Sequence, residues 1–488
     1  MEPLAAMDTL MLVAENVGSA MHVGALLILS PPLDVAPDAT SSYVDELYRD
    51  SLTGPHDLEP RLRRYPHRGL ETGGVWVWRE AAEVDLRRHL RRTTLPPGSD
   101  RESLWKLVSE LHSERMDMAA PLWTSWLIDG FDTGGVFALY IKVHHIVVDG
   151  VGGLRMIADS LSADPDRRGM PPFYADKGAD KGADGGGEKE TDEPTGEHRA
   201  GWRLPNPLAG VRAVAEAVAA GLDLTRRVAT AEVAIMVGSL TSDAVVTPLE
   251  APHTRFNSRL GPRRAATGTS LPRNRIHAVR HAAGVSANDV VTAVISGALR
   301  HWLIDTDELP PRSLVAMCPV SVRTRDAAGT ATAGNRFGLG LCPLGTDLAD
   351  PADRLALIHE AMSRIKHQVA ERGADAMLVV MGPAIGSTVV LPLLPFGAVV
   401  PPSCNLAISN VPGPAADLYH NGAHVDEIYP VSTVFDGMGL NVTVCSYADR
   451  IEVGYVTDAD LMDDVAALVP LTQAALTELA TAVGVSTP

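Results

Sequence analysis

The chain predicts a mixed α/β architecture divided into two halves, and three observations carry that expectation. Short β-branched and aromatic runs alternate with stretches of helical period along most of its length. At 488 residues it exceeds what one hydrophobic core usually supports. From residue 174 to 201 the composition turns polar, glycine-rich and acidic, with too little apolar surface to offset the entropy of ordering. The expected plan is a first domain over 1–173, a disordered acidic linker over 174–201, a helical connection over 202–250 and a second domain over 251–488.

Bulk properties narrow the function classes. A net charge of −18 argues against nucleic acid and against simple electrostatic adhesion to anionic lipid. Cys318, Cys342, Cys404 and Cys445 are scattered without a CxxC pair, which suits reduced thiols better than a disulfide framework. The opening residues lack the basic and apolar pattern of a signal peptide, so the expected location is cytoplasmic.

The first elements follow in order. Residues 7–16 read as a short helix and Met21 to Leu29 as a buried strand, in which His22 is either structural or turned toward a site. Val44, Leu47, Tyr48 and Leu52 share one helical face, Val75 to Trp78 form a strand, and Leu104, Leu107, Val108 and Leu111 mark another amphipathic helix. Pro121-Leu122-Trp123 then leads into a strand over 124–128 and reads, from its residues alone, as the buried start of that strand.

The next stretch concentrates the chemistry. Val136 to Val143 is a β-branched and aromatic run, followed by His144-His145-Ile146-Val147-Val148-Asp149-Gly150 and then a helix expected from Gly153 to Ser162. Two imidazoles and a carboxylate thus sit where a strand ends. A neutral imidazole, with an ordinary pKa near ~6.5, can accept a hydroxyl proton near neutral pH. Asp149 could accept hydrogen bonds, pair with an arginine or cap the next helix, and Gly150 would free the turn. Satisfied structural histidines are the plain alternative. Metal ligation is the other, although no further ligand cluster accompanies the pair.

Beyond the linker, residues 207–240 are alanine- and valine-rich and read as helix, and the segment from Phe256 to Ala266 carries arginines suited to phosphate. Ser286 caps a helix that begins with Asn288 and Asp289. Val315 to Arg323 is a strand whose terminal Arg323 is either a partner for Asp149 or an ordinary exposed arginine. Leu355, Ile358, Met362, Ile365 and Val369 define an amphipathic helix. Ala376 to Cys404 is uncharged and almost continuously apolar, and its five prolines argue against one uninterrupted membrane span. It reads as broken helix lining a lipid channel or touching a membrane from one side. Asn405 to Pro414 is a strand running into a Pro-Gly turn, strands and turns alternate to Thr457, and a helix containing Pro470 closes the chain.

The HHxxxDG pattern after a strand resembles the signature of acyl-CoA-dependent acyltransferases related to chloramphenicol acetyltransferase. Pro121-Leu122-Trp123, Asn288-Asp289, Gly334-Asn335-Arg336-Phe337-Gly338 and Ser409-Asn410-Val411-Pro412-Gly413-Pro414 narrow the resemblance to the bacterial wax ester synthase/diacylglycerol acyltransferase family. The resemblance spans nearly the whole chain. Two departures are Gly24-Ala25 in place of a double glycine, and Ala119-Ala120 where the family carries a basic residue.

The resemblance implies a fold of two chloramphenicol-acetyltransferase-like domains with a tunnel between them. It implies that His145 takes the hydroxyl proton of a diacylglycerol or long-chain alcohol while that oxygen attacks an acyl-CoA thioester. His144 would orient the loop and Asp149, beside Gly150, would hold it. Pro121, Leu122, Trp123, Asn288, Asp289, Arg323, Asn335, Arg336, Ser409 and Asn410 would shape the channel or bind coenzyme A. Acyl-CoA enters as a substrate, with no cofactor or metal, and a lipid alcohol is the acceptor, drawn by peripheral contact with the inner face of a membrane or a lipid droplet. The chain contains no GxSxG, which favours direct transfer over a serine acyl-enzyme. Two other readings stay open: a different hydroxyl acceptor such as a polyketide-derived lipid, and an inactive lipid-binding or droplet protein.

Overall fold

A computed structural model describes residues 2–17, 19–54, 57–132, 135–176, 249–321, 337–372 and 401–486. The first stretch contains β1 (Glu2–Pro3), α1 (Ala6–Val17), β2 (His22–Ser30), α2 (Thr40–Thr53), β3 (Arg64–His67), β4 (Val77–Glu80), α3 (Leu86–His89), β5 (Leu90–Ser99), α4 (Arg101–Ser113), β6 (Trp123–Phe131), β7 (Phe137–His144) and α5 (Gly150–Ala158). The second contains β8 (Arg264–Pro272), α6 (Arg273–Ala283), α7 (Ala287–Asp305), β9 (Val315–Ser321), β10 (Phe337–Pro343), α8 (Pro351–Arg372), β11 (Leu406–Val411), β12 (Tyr419–His420), β13 (Ala423–Val431), β14 (Leu440–Tyr447), β15 (Arg450–Asp458) and α9 (Leu468–Ala482).

These strands build two six-stranded mixed sheets, one per lobe, plus a small sheet of β1, β4 and β3. The first-lobe sheet runs β12-β13-β2-β7-β6-β5 and the second-lobe sheet β10-β9-β11-β14-β15-β8. In the first only β5 and β6 pair in parallel; in the second β11 lies parallel to both β9 and β14.

Chain order and lobe do not coincide. The expectation that 251–488 forms a domain of its own is corrected by β13, which pairs with β2 from His424 opposite Ser30 to Val431 opposite Gly24. Without it the β2 edge would present unpaired backbone groups, a cost that long-range pairing removes. β13 also brings the lobes together, because its Pro430 carbonyl passes so close to Gly454 of β15 that a Cβ there would fall 1.9 Å away. The outer edge at β8 is covered by α4, whose Ser109 and Ser113 hydroxyls accept the Ala266 and Arg264 amides at 2.9 and 2.8 Å.

Two helices bury the face their periodicity predicts. In α4 these are Leu104, Trp105, Val108 and Leu111, and in α8 Leu355, Ile358, Met362, Ile365 and Val369. Helix α7 is apolar nearly all round and sits inside the second core, with Val294, Ile295, Ala298 and Leu299 fully buried. Among the described residues, one helical segment, Val465–Ala482, is long and apolar enough to cross a membrane, but Leu468, Leu476 and Leu479 in it belong to that same core.

The expected linker boundary moves. Tyr174 is buried, stacks on Trp123 at 5.5 Å and donates its hydroxyl to the Ser51 carbonyl, so the packed first lobe continues through Asp176. An aromatic ring with a core partner overrides the polar composition that follows it. The rest of the expected linker, the helical connection up to residue 248, Arg323, Asn335, Arg336 and most of the apolar stretch from 376 lie outside the described residues.

Candidate active site

The end of β7 sets the site. Val143 and the strand before it are locked by pairing with β2 and β6, and the His144 and His145 amides donate to the carbonyls of Leu122 and Met21 at 3.0 and 2.8 Å. Strand alternation then turns the two imidazoles to different surroundings. His144 is fully buried. Its Nδ1 accepts the Ile146 amide at 3.2 Å, which leaves Nε2 to donate to the Glu15 carboxylate of α1 at 2.5 Å. The ring is thereby fixed in tautomer and orientation.

His145 is half-buried and lines a cleft of about 830 Å³ counted to its open mouth. Val23, Gly24, Ala25, Ile141 and Val143 form the first-lobe floor; Ser409, Val411, Thr443 and Cys445 form the second-lobe wall. Ile428, Pro430 and Ser432 enter from the crossing strand and the residues after it. Burial lowers the His145 pKa below its ordinary 6.5, opposed by its own backbone and by Asp149. The neutral form is the one favoured, and it is the form that can accept a proton. Asp8 of α1 is pushed up, mainly by burial, against the pull of His145 and His144.

Asp149 acts as the helix cap of α5. Its carboxylate accepts the Gly152 amide at 2.6 Å and its carbonyl the Gly153 amide at 2.8 Å. A Cβ at Gly152 would stand 3.0 Å from that carboxylate, so Gly152 is the position where a side chain would press on the cap. Gly150 has no such demand, since a Cβ there would meet only Val411 at 3.7 Å, and its expected role as the free turn is corrected. The helix starts at Gly150 rather than Gly153 because the cap lies one residue before it.

The remaining expected residues divide. Ser409 lines the cleft. Asn410, its neighbour on the opposite face of β11, donates to the Asn288 side chain at 2.9 Å and joins two of the sequence motifs behind the cleft wall. Asp289 is buried, shares the cap of α7 with Ser286 and pairs with His359 at 2.7 Å. Leu122 and Trp123 do not line the cleft; Trp123 is clamped between His89 and Tyr174 and donates to the Leu62 carbonyl. Pro121, at their head, precedes β6 and is absent from the lining too. Of the three arginines suggested for phosphate, two are engaged elsewhere, Arg263 with Asp460 and Arg264 with Asp458. His22 is buried against His112 on the far face of the sheet and lies outside the cleft. Among the described residues, no three His, Cys, Asp or Glu side chains gather as metal ligands.

Glu15 and Asp8 are the site residues that the sequence reading missed. They lie seven apart with buried Leu12 between them, two acids on the inward face of a helix, and that spacing was the available signal.

The order of these elements is that of a known family. Residues 4–291 match the model of the wax ester synthase/diacylglycerol acyltransferase catalytic domain, and residues 333–480 that of the WS/DGAT C-terminal domain. The chain belongs to the wax ester synthase/diacylglycerol acyltransferase family. A Mycobacterium tuberculosis (strain ATCC 25618 / H37Rv) protein provisionally named a diacylglycerol O-acyltransferase is 37% identical over 457 residues, 93% of this chain and 85% of its own. A second from that strain is 37% identical over 486 residues, covering 98% and 99%. The solved wax ester synthase/diacylglycerol acyltransferase of Marinobacter aquaeolei VT8 superposes with a TM-score of 0.74 at 30% identity, covering 99% of this chain and all of its own. The starter condensation domain of rhizomide synthetase, 13% identical with a TM-score of 0.51, shares the fold. The family's catalytic model runs past residue 251 into the second lobe, as the strand exchange between lobes would require.

Proposed function

We propose that the cleft holds an acyl-CoA thioester and a lipid alcohol together, and that His145 removes the hydroxyl proton as the oxygen attacks the thioester carbonyl. The C–O bond forms, the C–S bond breaks, and the proton passes through the imidazole to the departing coenzyme A thiolate. The chain is an acyl-CoA-dependent acyltransferase of the family that makes triacylglycerol from diacylglycerol or wax esters from long-chain alcohols. The observation that carries the base assignment is the placement of His145 on an apolar cleft between two lobes, with burial keeping its ring neutral. Walls of this kind exclude water, which would otherwise compete as acceptor. His144, held by Glu15, positions the loop; Asp149 fixes the start of α5 behind it.

Transfer of this kind needs both substrates bound at once and no nucleophile from the protein. The uncharged stretch from Ala376 to Cys404 supports drawing the acceptor from the inner face of a membrane or from a lipid droplet, to which the chain would attach peripherally. The test is one incubation of the purified chain with palmitoyl-CoA and a panel of diacylglycerols and fatty alcohols, with lipid products identified and free thiol measured. Ester and thiol appearing together, and both lost in His145→Ala, is the expected result. Thiol release without ester, or full turnover in the variant, would defeat it.

A further inference from the structure

A second, partly open cavity lies on the same face of the first-lobe sheet as the cleft, farther from His145, about 710 Å³ when counted out to its open mouth. The two cavities share Ile141 of β7 and Ile157 of α5 in their linings, so those two side chains stand at the junction between them. Strand alternation makes the floor continuous. On β7 the inward residues run Val143, Ile141, Leu139, Phe137 away from the imidazole, roughly 20 Å at the usual rise per residue. Leu27, Leu139 and Leu127 sit side by side across β2, β7 and β6. Leu139 and Leu127, on inner strands, are nonetheless only half-buried. Side chains there would normally be covered by a packed layer, and this cavity is why they are not. Phe173 and Tyr174 line it as well.

Resting on the acyl-CoA reading above, we propose that the fatty chain of the donor thioester passes between Ile141 and Ile157 and lies in this chamber. Leu139, Leu127 and the two isoleucines then set the chain length the protein accepts. The occupant is the donor's chain for a reason of shape. A thioester carries one unbranched chain on the carbonyl that must sit beside His145, whereas a diacylglycerol carries two that diverge from the glycerol. A long-chain alcohol is also single-chained, and varying the acceptor is what separates it from the donor. A neck between two isoleucines suits one chain. Extended hydrocarbon on an apolar floor gains with each methylene buried, so the chamber's length is a length sieve.

The test compares octanoyl-CoA and palmitoyl-CoA on the full chain, with one acceptor fixed, in wild type, Leu139→Trp and Leu127→Ala. An indole at 139 fills the chamber, and the ratio of kcat/KM for palmitoyl-CoA over octanoyl-CoA should fall about tenfold or more. Leu127→Ala widens it and should move the preference toward longer donors; it also decides the matter should Leu139→Trp not fold. Repeating the series with octanol and hexadecanol at one fixed donor should leave the acceptor ratio unchanged. An unmoved donor ratio in a folded variant, or an acceptor ratio that moves in its place, overturns the proposal. Calorimetric titration with the same two donors, without acceptor, reads the chamber apart from turnover. Affinities that follow the sieve while no ester forms would count against the acyltransferase reading and leave the chamber standing; affinities indifferent to the substitutions would reject the chamber.

Discussion

The two sheets use their apolar faces differently. In the second lobe Leu299, Ile358, Leu440 and Val453 are sealed between sheet and helices with no exposure. In the first lobe the face toward α5 leaves Leu139 and Leu127 half-buried above open space, while its back face is closed by α4 and carries a buried polar network. There the ammonium of Lys142 donates to the carbonyls of Leu111 and Glu114 at the end of α4, and burial lowers its pKa to about 8. One lobe is built as a scaffold and the other as a half-filled vessel against it. The difference teaches that the site's empty volume is held open by rigid neighbours, since a sheet fastened on its back face and along both edges of β7 cannot collapse into the void.

The sharpest break between the regions is expected at His145. His145→Ala should lower kcat/KM by roughly 10²–10⁴ and leave Tm nearly unchanged, measured by initial rates and thermal unfolding. The second lobe should show the opposite profile: Leu299→Ala should cost about 2–5 kcal/mol in denaturant unfolding. Leu139→Ala, on the vessel floor, should cost about 1 kcal/mol or less, because its side chain already faces a void. Equal costs at the two leucines would erase the contrast between the lobes.

Acid should find the first lobe. Among the described residues the buried histidines are His22, His89, His112 and His144, all in that lobe. Burial lowers His22 and His89, and His112 to about 3 from 6.5. The unfolded chain binds these protons below about 6.5 while the folded chain refuses them, so stability is full above that pH and lost as pH falls toward 3. A Tm that falls steadily from pH 7 to pH 5, and falls less in His112→Gln, is the expected record.

Smaller effects refine the site. Glu15→Gln keeps the size of the side chain but weakens the acceptor that holds His144 Nε2, and should lower kcat about tenfold with KM little changed. A positioning role predicts that split between kcat and KM; a merely structural one predicts lost Tm alone. Asp149→Ala removes the cap on the Gly152 amide and should cost about 1 kcal/mol, whereas Asp149→Asn should retain most of it.

Much of this was legible in the residues. The periods of α4 and α8, the capping box at Ser286 and the strand that ends in His144-His145 are local patterns, and local patterns survive in sequence. The pairing of His144 with Glu15 joins residues 129 apart, and the bond between Asn288 and Asn410 joins residues 122 apart. Neither follows from spacing. Trp123 shows the reverse: the motif allows either a channel residue or a buried strand start, and it packs as core, because the same indole suits both places and only its neighbours decide.

By itself the sequence determined which residues could carry acid-base chemistry, where strands and helices run, and the family resemblance that orders them. Periodicity and residue chemistry are properties of neighbours in the chain. The tertiary structure alone decided that β13 crosses to complete the first sheet, that one imidazole of the pair is buried against Glu15 while the other lines a cleft, and that a second cavity shares Ile141 and Ile157 with that cleft. Those outcomes depend on how edges are covered and volumes filled among residues far apart in sequence, and packing is settled only when all of them are present.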